Sequence, residues 1–502
     1  EVLDGMPMLI PYGIGNDALK EVSQTISAWA KVYAFDEGTP FYRLRASAED
    51  EAAVSKMEAG NFYIPFAKQE GENQLLQPLV DPKVIFEHRT SLEEAVGFKK
   101  RDLTDYDGKQ ILENRFPAAM ASHKEELCCG EGLEINSVFG HLADQDRLAE
   151  VTEKVMEPGF LEEKAEETAQ LHDYYADHIF TVSGEDRLDA YSRQTFMDNI
   201  LRGGFPISLG ADSDTTYHIF SRKHGDLERD YNEFSLEPAY YSQGNGNFRD
   251  VNQNRRCDVF FNPEVEEHNL KLFANLIQPN GYNPLVIEGS KFYIPDEKEQ
   301  QELAQHAAEK QGKLVERLKD TFTPGEIAVF IDDHDINLDV DIPEFVDLVI
   351  DSAEFWTEAK FGEGYWIDHW TYNLDLIENY LAVYPEQLAE LLFEDQSYTF
   401  YDNYAKVQPR EEKHVLTDSG PKQLNAVVES EDKKELIEAR GKNPYYVRTD
   451  DGEGEIYETT LMTKLLTLVI NKTATLDPYG VGVEMEANKP GWYDALNGLP
   501  GI

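Results

Sequence analysis

The chain has 502 residues, of which 96 are acidic and 46 basic, so its formal net charge at neutral pH is −50. So acidic a surface repels nucleic-acid phosphates and anionic lipids, which excludes nucleic acid and membrane as expected partners. With only three cysteines, the chain is not expected to be a disulfide scaffold. Its length and the lack of an apolar run of transmembrane length favour a globular, multidomain cytoplasmic protein.

The first 145 residues are predicted to form the β-rich part of a multidomain α+β protein. Apolar positions at helical spacing predict one helix, from about Asp17 to Tyr33. Short β-type runs follow, beginning at Asn61, Pro82 and Leu133, and Gly and Asp turns separate them. We assign residues 1–145 to an antiparallel β-sandwich portion.

The remainder of the chain is predicted to be mainly helical. Residues 146–200 repeat apolar positions at helical spacing and are assigned to a helical linker. From residue 201 to residue 502, amphipathic helices alternate with long loops. This pattern predicts helical hairpins arranged around a central cavity. The predicted helices in this region run from Asn269 to Ile277, Glu297 to Lys319, Pro343 to Trp356, Asn373 to Val383, Glu386 to Phe393 and Thr459 to Ile470.

A first candidate sugar-binding loop is a Gly/Asn turn that leads into Arg249, Asp250 and Gln253. Hexose hydroxyls both donate and accept hydrogen bonds, and an Arg beside an Asp serves both roles with fixed geometry. The alternative is a structural Arg–Asp pair at the start of a helix.

A second candidate loop contains Trp366, Asp368 and Trp370. Large aromatic rings interleaved with Asp and His would provide stacking platforms and polar contacts for an extended glycan. The alternative is that these rings belong to the core.

A third candidate loop, near the end of the sequence, places Trp492 two residues before Asp494. A Trp ring can stack on a sugar, and a carboxyl group whose pKa is raised in a closed apolar site can protonate a glycosidic oxygen. A helix-capping aspartate is the alternative, and Glu484 and Glu486 are rivals for the acid role.

The strings from Phe248 to Gln253 and from Trp492 to Asn497 resemble the inverting β-glucoside phosphorylases, the group around cellobiose phosphorylase. The long separation between Asp250 and Asp494 is similar to the larger relatives that act on β-1,3-gluco-oligosaccharides. The resemblance implies a β-sandwich, a helical linker and an (α/α)6 barrel, which this chain would contain only in part. We therefore expect a continuation or a second polypeptide to complete the barrel.

The resemblance also implies roles for single residues. Asp494 matches the general acid of the family and Trp492 its sugar-stacking neighbour, while Arg249 and Asp250 match the pair that binds the non-reducing-end sugar. The implied reaction cleaves β-gluco-oligosaccharides with inorganic phosphate as co-substrate to give α-glucose 1-phosphate. It requires no cofactor and no metal, and a homodimer would be common for this fold.

Two other functions stay open at the level of the sequence. An inverting hydrolase or transglycosylase of the same fold would use a similar acid, because phosphorolysis and hydrolysis differ mainly in the nucleophile. A non-catalytic carbohydrate-binding protein would keep the aromatic loops without a complete site. The acidic run from Asp332 to Asp341 lacks the Gly and the closing Glu of a calcium loop, so we predict a hydrated loop there.

Overall fold

The computed structural model describes residues 1–476 except 15, 48–54, 70–71, 212–214, 221–235, 237–238, 285, 361–368, 424–426, 442 and 475. The chain divides into two compact units, Glu1–Asp173 and Tyr174–Ile502. Both units contain helices and strands, and the sheets formed by the described residues are open rather than closed into barrels. This architecture is consistent with the predicted multidomain α+β class, and the domain boundaries at residues 145 and 200 stay predictions.

Unit 1 contains two antiparallel sheets. Its strands are β1 (Val2–Met6), β2 (Ala30–Tyr33), β3 (Phe41–Leu44), β4 (Gly60–Gln69), β5 (Glu72–Leu75), β6 (Pro78–Leu79), β7 (Ala119–His123) and β8 (Ile135–Leu142). One sheet has the order β2-β3-β4-β5 with β8 also paired to β4, and the other has the order β1-β7-β6. A buried core that includes Tyr42, Tyr63 and Ala119 draws side chains from both sheets.

The helices of unit 1 are α1 (Asn16–Trp29), α2 (Pro82–Phe86), α3 (Val96–Lys100), α4 (Leu148–Val155) and α5 (Phe160–Ala176). The β-type run predicted from Pro82 is therefore wrong. Asp81 caps α2 by accepting a hydrogen bond from the Lys83 N–H, and Pro82 stands in the first turn, where its missing N–H is harmless. Helix α4 packs on the larger sheet, because Leu148 and Val155 share a core with Phe62 and Phe66. Helix α5 crosses the division between the two units.

The helix predicted from Asp17 to Tyr33 is too long, because residues 30–33 form strand β2 and pair with β3. Ala30 and Val32 are buried, whereas the side chains between and after them are half-buried. This alternation has the period of a strand, and β-branched Val32 and aromatic Tyr33 favour it. Pairing of β2 with β3 therefore decides the structure of residues 30–33, although their apolar spacing also fits the last turn of the predicted helix.

Unit 2 also mixes strands and helices. Its strands are β9 (Phe205–Leu209), β10 (Thr215–Ile219), β11 (Gly246–Asn247), β12 (Val286–Tyr293), β13 (Glu354–Lys360), β14 (Tyr398–Thr399), β15 (Ala405–Val407), β16 (His414–Thr417), β17 (Gly420–Gln423), β18 (Val427–Glu429) and β19 (Glu458–Thr459). Its helices are α6 (Asp186–Gly203), α7 (Phe248–Arg255), α8 (Asp258–Phe261), α9 (His268–Asn275), α10 (Glu297–Leu303), α11 (Gln311–Lys319), α12 (Pro324–Asp333), α13 (Ile342–Asp351), α14 (His369–Val383), α15 (Arg410–Lys413), α16 (Glu431–Ala439) and α17 (Leu461–Ala474).

Strands interrupt the region that the sequence predicts as helices and loops. The helix predicted from Pro343 to Trp356 ends at Asp351, and the next residues enter strand β13, which pairs with β12. The helix predicted from Glu297 to Lys319 is divided into α10 and α11, because Lys310 takes a left-handed conformation with φ 62°. Apolar and polar residues alternate over only a few positions in β12 and β13, so the sequence does not distinguish these strands from the neighbouring helices.

Two hydrophobic cores support unit 2. One joins β9, β10 and β12 to helices α10–α13, and the other joins α7, α9, α14 and α17 to β12 and β13. Strand β12 contributes to both cores, so the sheet β11-β12-β13 connects them. Helix α7, which carries the first candidate loop residues, follows β11 directly and lies in the second core.

Lys464 of α17 is fully buried in unit 2. Its Nζ donates hydrogen bonds to the carbonyl oxygens of Ile277 at 2.8 Å and Thr399 at 2.5 Å, and it lies 3.6 Å from the centre of the Phe400 ring. Burial lowers the pKa of this amine well below its ordinary value. Lys464 therefore acts as a buried donor that joins three segments.

We expect Lys464→Met to reduce the free energy of unfolding by about 2 kcal/mol, because the Thr399 carbonyl loses its Lys464 donor and the Ile277 carbonyl keeps only its bond from the Tyr401 N–H. Urea-induced unfolding monitored by circular dichroism measures the change. The exposed Lys313→Met on α11 is the control and should change stability by less than about 0.5 kcal/mol. Equal stability of Lys464→Met and the wild type would contradict this role.

Candidate functional site

Helix α7 positions the first set of candidate residues. Its N-cap is Asn247, whose side-chain oxygen accepts a hydrogen bond from the backbone N–H of Arg249 at 3.0 Å. Phe248, Val251 and Asn252 are buried and fix the helix against the core. The remaining face of α7 carries the less buried polar residues.

Arg249 and Asp250 form an ion pair in the first turn of α7. Arg249 Nε donates to Asp250 Oδ1 at 2.9 Å, and the exposed fractions of the two side chains are 33% and 16%. Gln253, one turn further along the helix, is half-buried. Since residues separated by three or four positions share a helix face, the three side chains form one polar surface. Each group remains partly accessible, as a site for sugar hydroxyls requires.

Helix α7 packs directly against α14, which begins at the end of the second candidate loop. Asn252 Nδ2 donates to Asn373 Oδ1 at 3.1 Å, and both side chains are buried. Arg256 also forms an ion pair with Asp375, and Asn379 Nδ2 donates to the Arg256 carbonyl oxygen at 2.7 Å. These polar contacts fix both the distance and the register between the two helices.

Helix α14 carries Trp370 in its first turn, where the side chain is half-buried. The structure therefore brings the helix of Arg249, Asp250 and Gln253 together with the helix of Trp370. Trp366, Asp368, Trp492 and Asp494 lie outside the described residues, as do Glu484 and Glu486.

A second polar cluster lies beside α7 and was not predicted from the sequence. His218 Nε2 is 3.0 Å from Asp258 Oδ2, and Asn269 Nδ2 donates to the same oxygen at 2.9 Å. Arg255 donates from Nε to the Gly203 carbonyl oxygen at 3.4 Å, and its guanidinium lies 5.6 Å from the Phe220 ring centre. His218 lies 40 residues before Asp258, and the set matches no known motif spacing, so only the fold identifies the cluster.

Burial changes the protonation of this cluster. It raises the pKa of Asp258 to about 7, although the nearby Arg255 charge and the Asn269 hydrogen bond oppose the change. Burial, assisted by the Arg255 charge, lowers the pKa of His268 to about 3 and also lowers the pKa of His218. It reduces the pKa of Arg255 itself to about 10. At neutral pH both histidines are therefore neutral while Arg255 stays charged.

A cavity opens beside Arg255 and the two histidines. It lies between α7, α9 and the strands β10 and β12, on the side of α7 that carries Val251 and Arg255. The lining residues are Thr216, His218, Phe220, Gln243, Gly244, Val251, Arg255, His268, Leu272, Ile287, Gly289, Ser290 and Thr357. We call this space the Arg255 cavity.

The acidic run after α12 is used within the fold. Asp341 caps α13, and Asp339 Oδ1 is 2.7 Å from His306 Nδ1. Among the described residues, no group of three or more His, Cys, Asp or Glu side chains is arranged to hold a metal ion. No helix in the described part of the chain combines the length and apolar character needed to cross a membrane.

Comparison with models of known protein families and with curated proteins finds no match for this chain. The assignment of function therefore depends on the residues and contacts described above.

We expect Asp258→Asn to change how stability depends on pH. Between the pKa of an unfolded aspartate, about 3.9, and about 7, folded Asp258 holds a proton that the unfolded chain releases. In the wild type this group therefore makes the free energy of unfolding fall as the pH rises from about 4 to about 7. Asparagine cannot ionise, so the variant should gain stability relative to the wild type across this range.

Urea-induced unfolding at a series of pH values measures this difference. The exposed Asp320→Asn serves as the control for the loss of one aspartate and should give a curve parallel to that of the wild type. A parallel curve for Asp258→Asn as well would contradict the raised pKa.

Proposed function

We propose that this chain acts as an inverting glycoside phosphorylase, which cleaves β-gluco-oligosaccharides with inorganic phosphate to give α-glucose 1-phosphate. The observation that carries the proposal is the polar contact between α7 and α14. It brings Arg249, Asp250 and Gln253 into the same helix pair as Trp370. Two segments chosen independently for sugar chemistry are thus neighbours in space.

The proposed sugar site combines two kinds of contact. The Arg249–Asp250 pair presents donors and acceptors whose directions are fixed by their mutual ion pair, and Gln253 adds an amide. Trp370 offers an aromatic face on which a pyranose ring can stack. Trp366, Asp368 and Trp492 are proposed as further sugar contacts on the basis of the sequence.

In the proposed mechanism Asp494 is the general acid. Its carboxyl proton passes to the glycosidic oxygen as the bond from the anomeric carbon to that oxygen breaks. A phosphate oxygen forms the new bond to the anomeric carbon from the opposite face, so the configuration inverts from β to α. Solvent then reprotonates Asp494. Phosphate is already an anionic nucleophile, and therefore the reaction needs no second carboxylate as base.

The (α/α)6 barrel belongs to this proposal. Helices α7, α9, α14 and α17 share one core, and α14 contacts both α7 and α9. The proposed barrel would include these helices.

We expect the full chain to release α-glucose 1-phosphate from β-1,3-, β-1,4- or β-1,2-linked gluco-oligosaccharides only when inorganic phosphate is present. Product analysis by chromatography measures this and identifies the linkage that is cleaved. Asp494→Asn, the control, should lose turnover while retaining oligosaccharide binding, because only proton transfer is removed. Free sugar in the absence of phosphate, or full activity of Asp494→Asn, would contradict the proposal.

A second variant tests the site that the structure describes. Asp250→Asn removes the charge of a group proposed to bind a sugar hydroxyl and to orient Arg249, so kcat/KM should fall by roughly 100-fold. Steady-state kinetics measure the change. The matched control is Asp375→Asn, which removes the partner of Arg256 in the same helix pair and should reduce kcat/KM much less. Equal losses in the two variants would indicate a structural role for Asp250.

A further inference from the structure

We infer that the Arg255 cavity binds the phosphate group of a small ligand. This site is separate from the proposed sugar site, because successive residues of a helix are rotated by about 100°. Arg255 consequently lies on the side of α7 roughly opposite to Arg249 and Gln253. The inference therefore does not rest on the proposed function.

Arg255 supplies a buried positive charge with unused donors. Only 7% of the residue is exposed, and its Nε group donates to the Gly203 carbonyl oxygen. Its two Nη groups form no hydrogen bond or ion pair with any residue in the described part of the chain. A buried guanidinium normally uses its fork of N–H groups, and a planar fork fits two oxygens of a phosphate group.

The nearest carboxylate does not neutralise Arg255 by direct contact. Asp258 is instead occupied by His218 and Asn269, at 3.0 and 2.9 Å. Because burial raises the pKa of Asp258 to about 7, this group is partly protonated near neutrality. The cavity side of Arg255 therefore keeps a positive potential.

The rest of the wall supplies donors. His268 lines the cavity and forms no hydrogen bond with the described residues, although its ring packs near His218 and Phe355. Three residues with hydroxyl groups, Thr216, Ser290 and Thr357, also line it. Neutral imidazole and hydroxyl groups can each donate to a phosphate oxygen.

The absence of acidic groups from this wall distinguishes it from the rest of the protein. None of the described residues that line the cavity is Asp or Glu, in a chain that carries 96 such residues. A metal ion would be repelled by Arg255, whereas an anion is attracted to it.

The test uses the full chain and two probes, inorganic phosphate and glucose 1-phosphate. Each probe is titrated while the imidazole NMR signals of His218 and His268 are recorded, and calorimetry gives the dissociation constant. We expect saturable binding that shifts the His268 signal. Binding of inorganic phosphate would identify a free anion as the ligand, and binding of glucose 1-phosphate alone would identify a phosphorylated sugar. If neither probe shifts the His268 signal, the inference is overturned, even if calorimetry detects phosphate binding elsewhere.

Three variants assign the binding to this cavity. Arg255→Gln and His268→Phe should each weaken binding by about tenfold or more, because each removes a donor to the phosphate group. Lys360→Gln removes one positive charge from the exposed end of β13 and should leave affinity unchanged. If Arg255→Gln fails to fold by circular dichroism, the half-buried His268→Phe decides the question. Unchanged affinity in His268→Phe would overturn the assignment.

Discussion

The buried contact between Asn252 and Asn373 is the constraint on which the arrangement of unit 2 depends. Asn252 Nδ2 donates to Asn373 Oδ1 between two buried side chains, and this single hydrogen bond favours one register of the two helices. A purely apolar contact would allow α7 to slide or rotate against α14. The paired amides instead hold the helix of Arg249 and Asp250 against the helix that carries Trp370.

The distribution of charge follows a consistent physical pattern. Acidic residues dominate the chain as a whole, while unit 2 buries two basic side chains, Arg255 and Lys464, against backbone carbonyl oxygens. Lys464 uses its donors within the fold and joins separate segments. Arg255 uses only its Nε donor in this way and lines a cavity, where we propose that it binds a phosphate group.

The sequence predicts local patterns better than long-range contacts. Helical spacing correctly indicates helices in residues 146–200 and around α9. The β-type runs from Asn61 and Leu133 correspond to β4 and β8, whereas the run from Pro82 forms helix α2. Strands β12 and β13 are not predicted, because their stability comes from pairing across more than 60 residues of chain. The residues around Arg249 form one contiguous string and can be recognised in the sequence. Asp258 and His218 meet only through the fold, so their cluster cannot be recognised in the sequence.

The most direct test of the account is a crystal structure of the full chain with a β-1,3-linked glucotriose bound. We expect a glucose unit within hydrogen-bonding distance of Arg249 and Asp250, and an adjoining ring stacked on Trp370. An oligosaccharide that binds elsewhere, or that contacts only one of the helices α7 and α14, would contradict the proposal that this helix pair forms the sugar site.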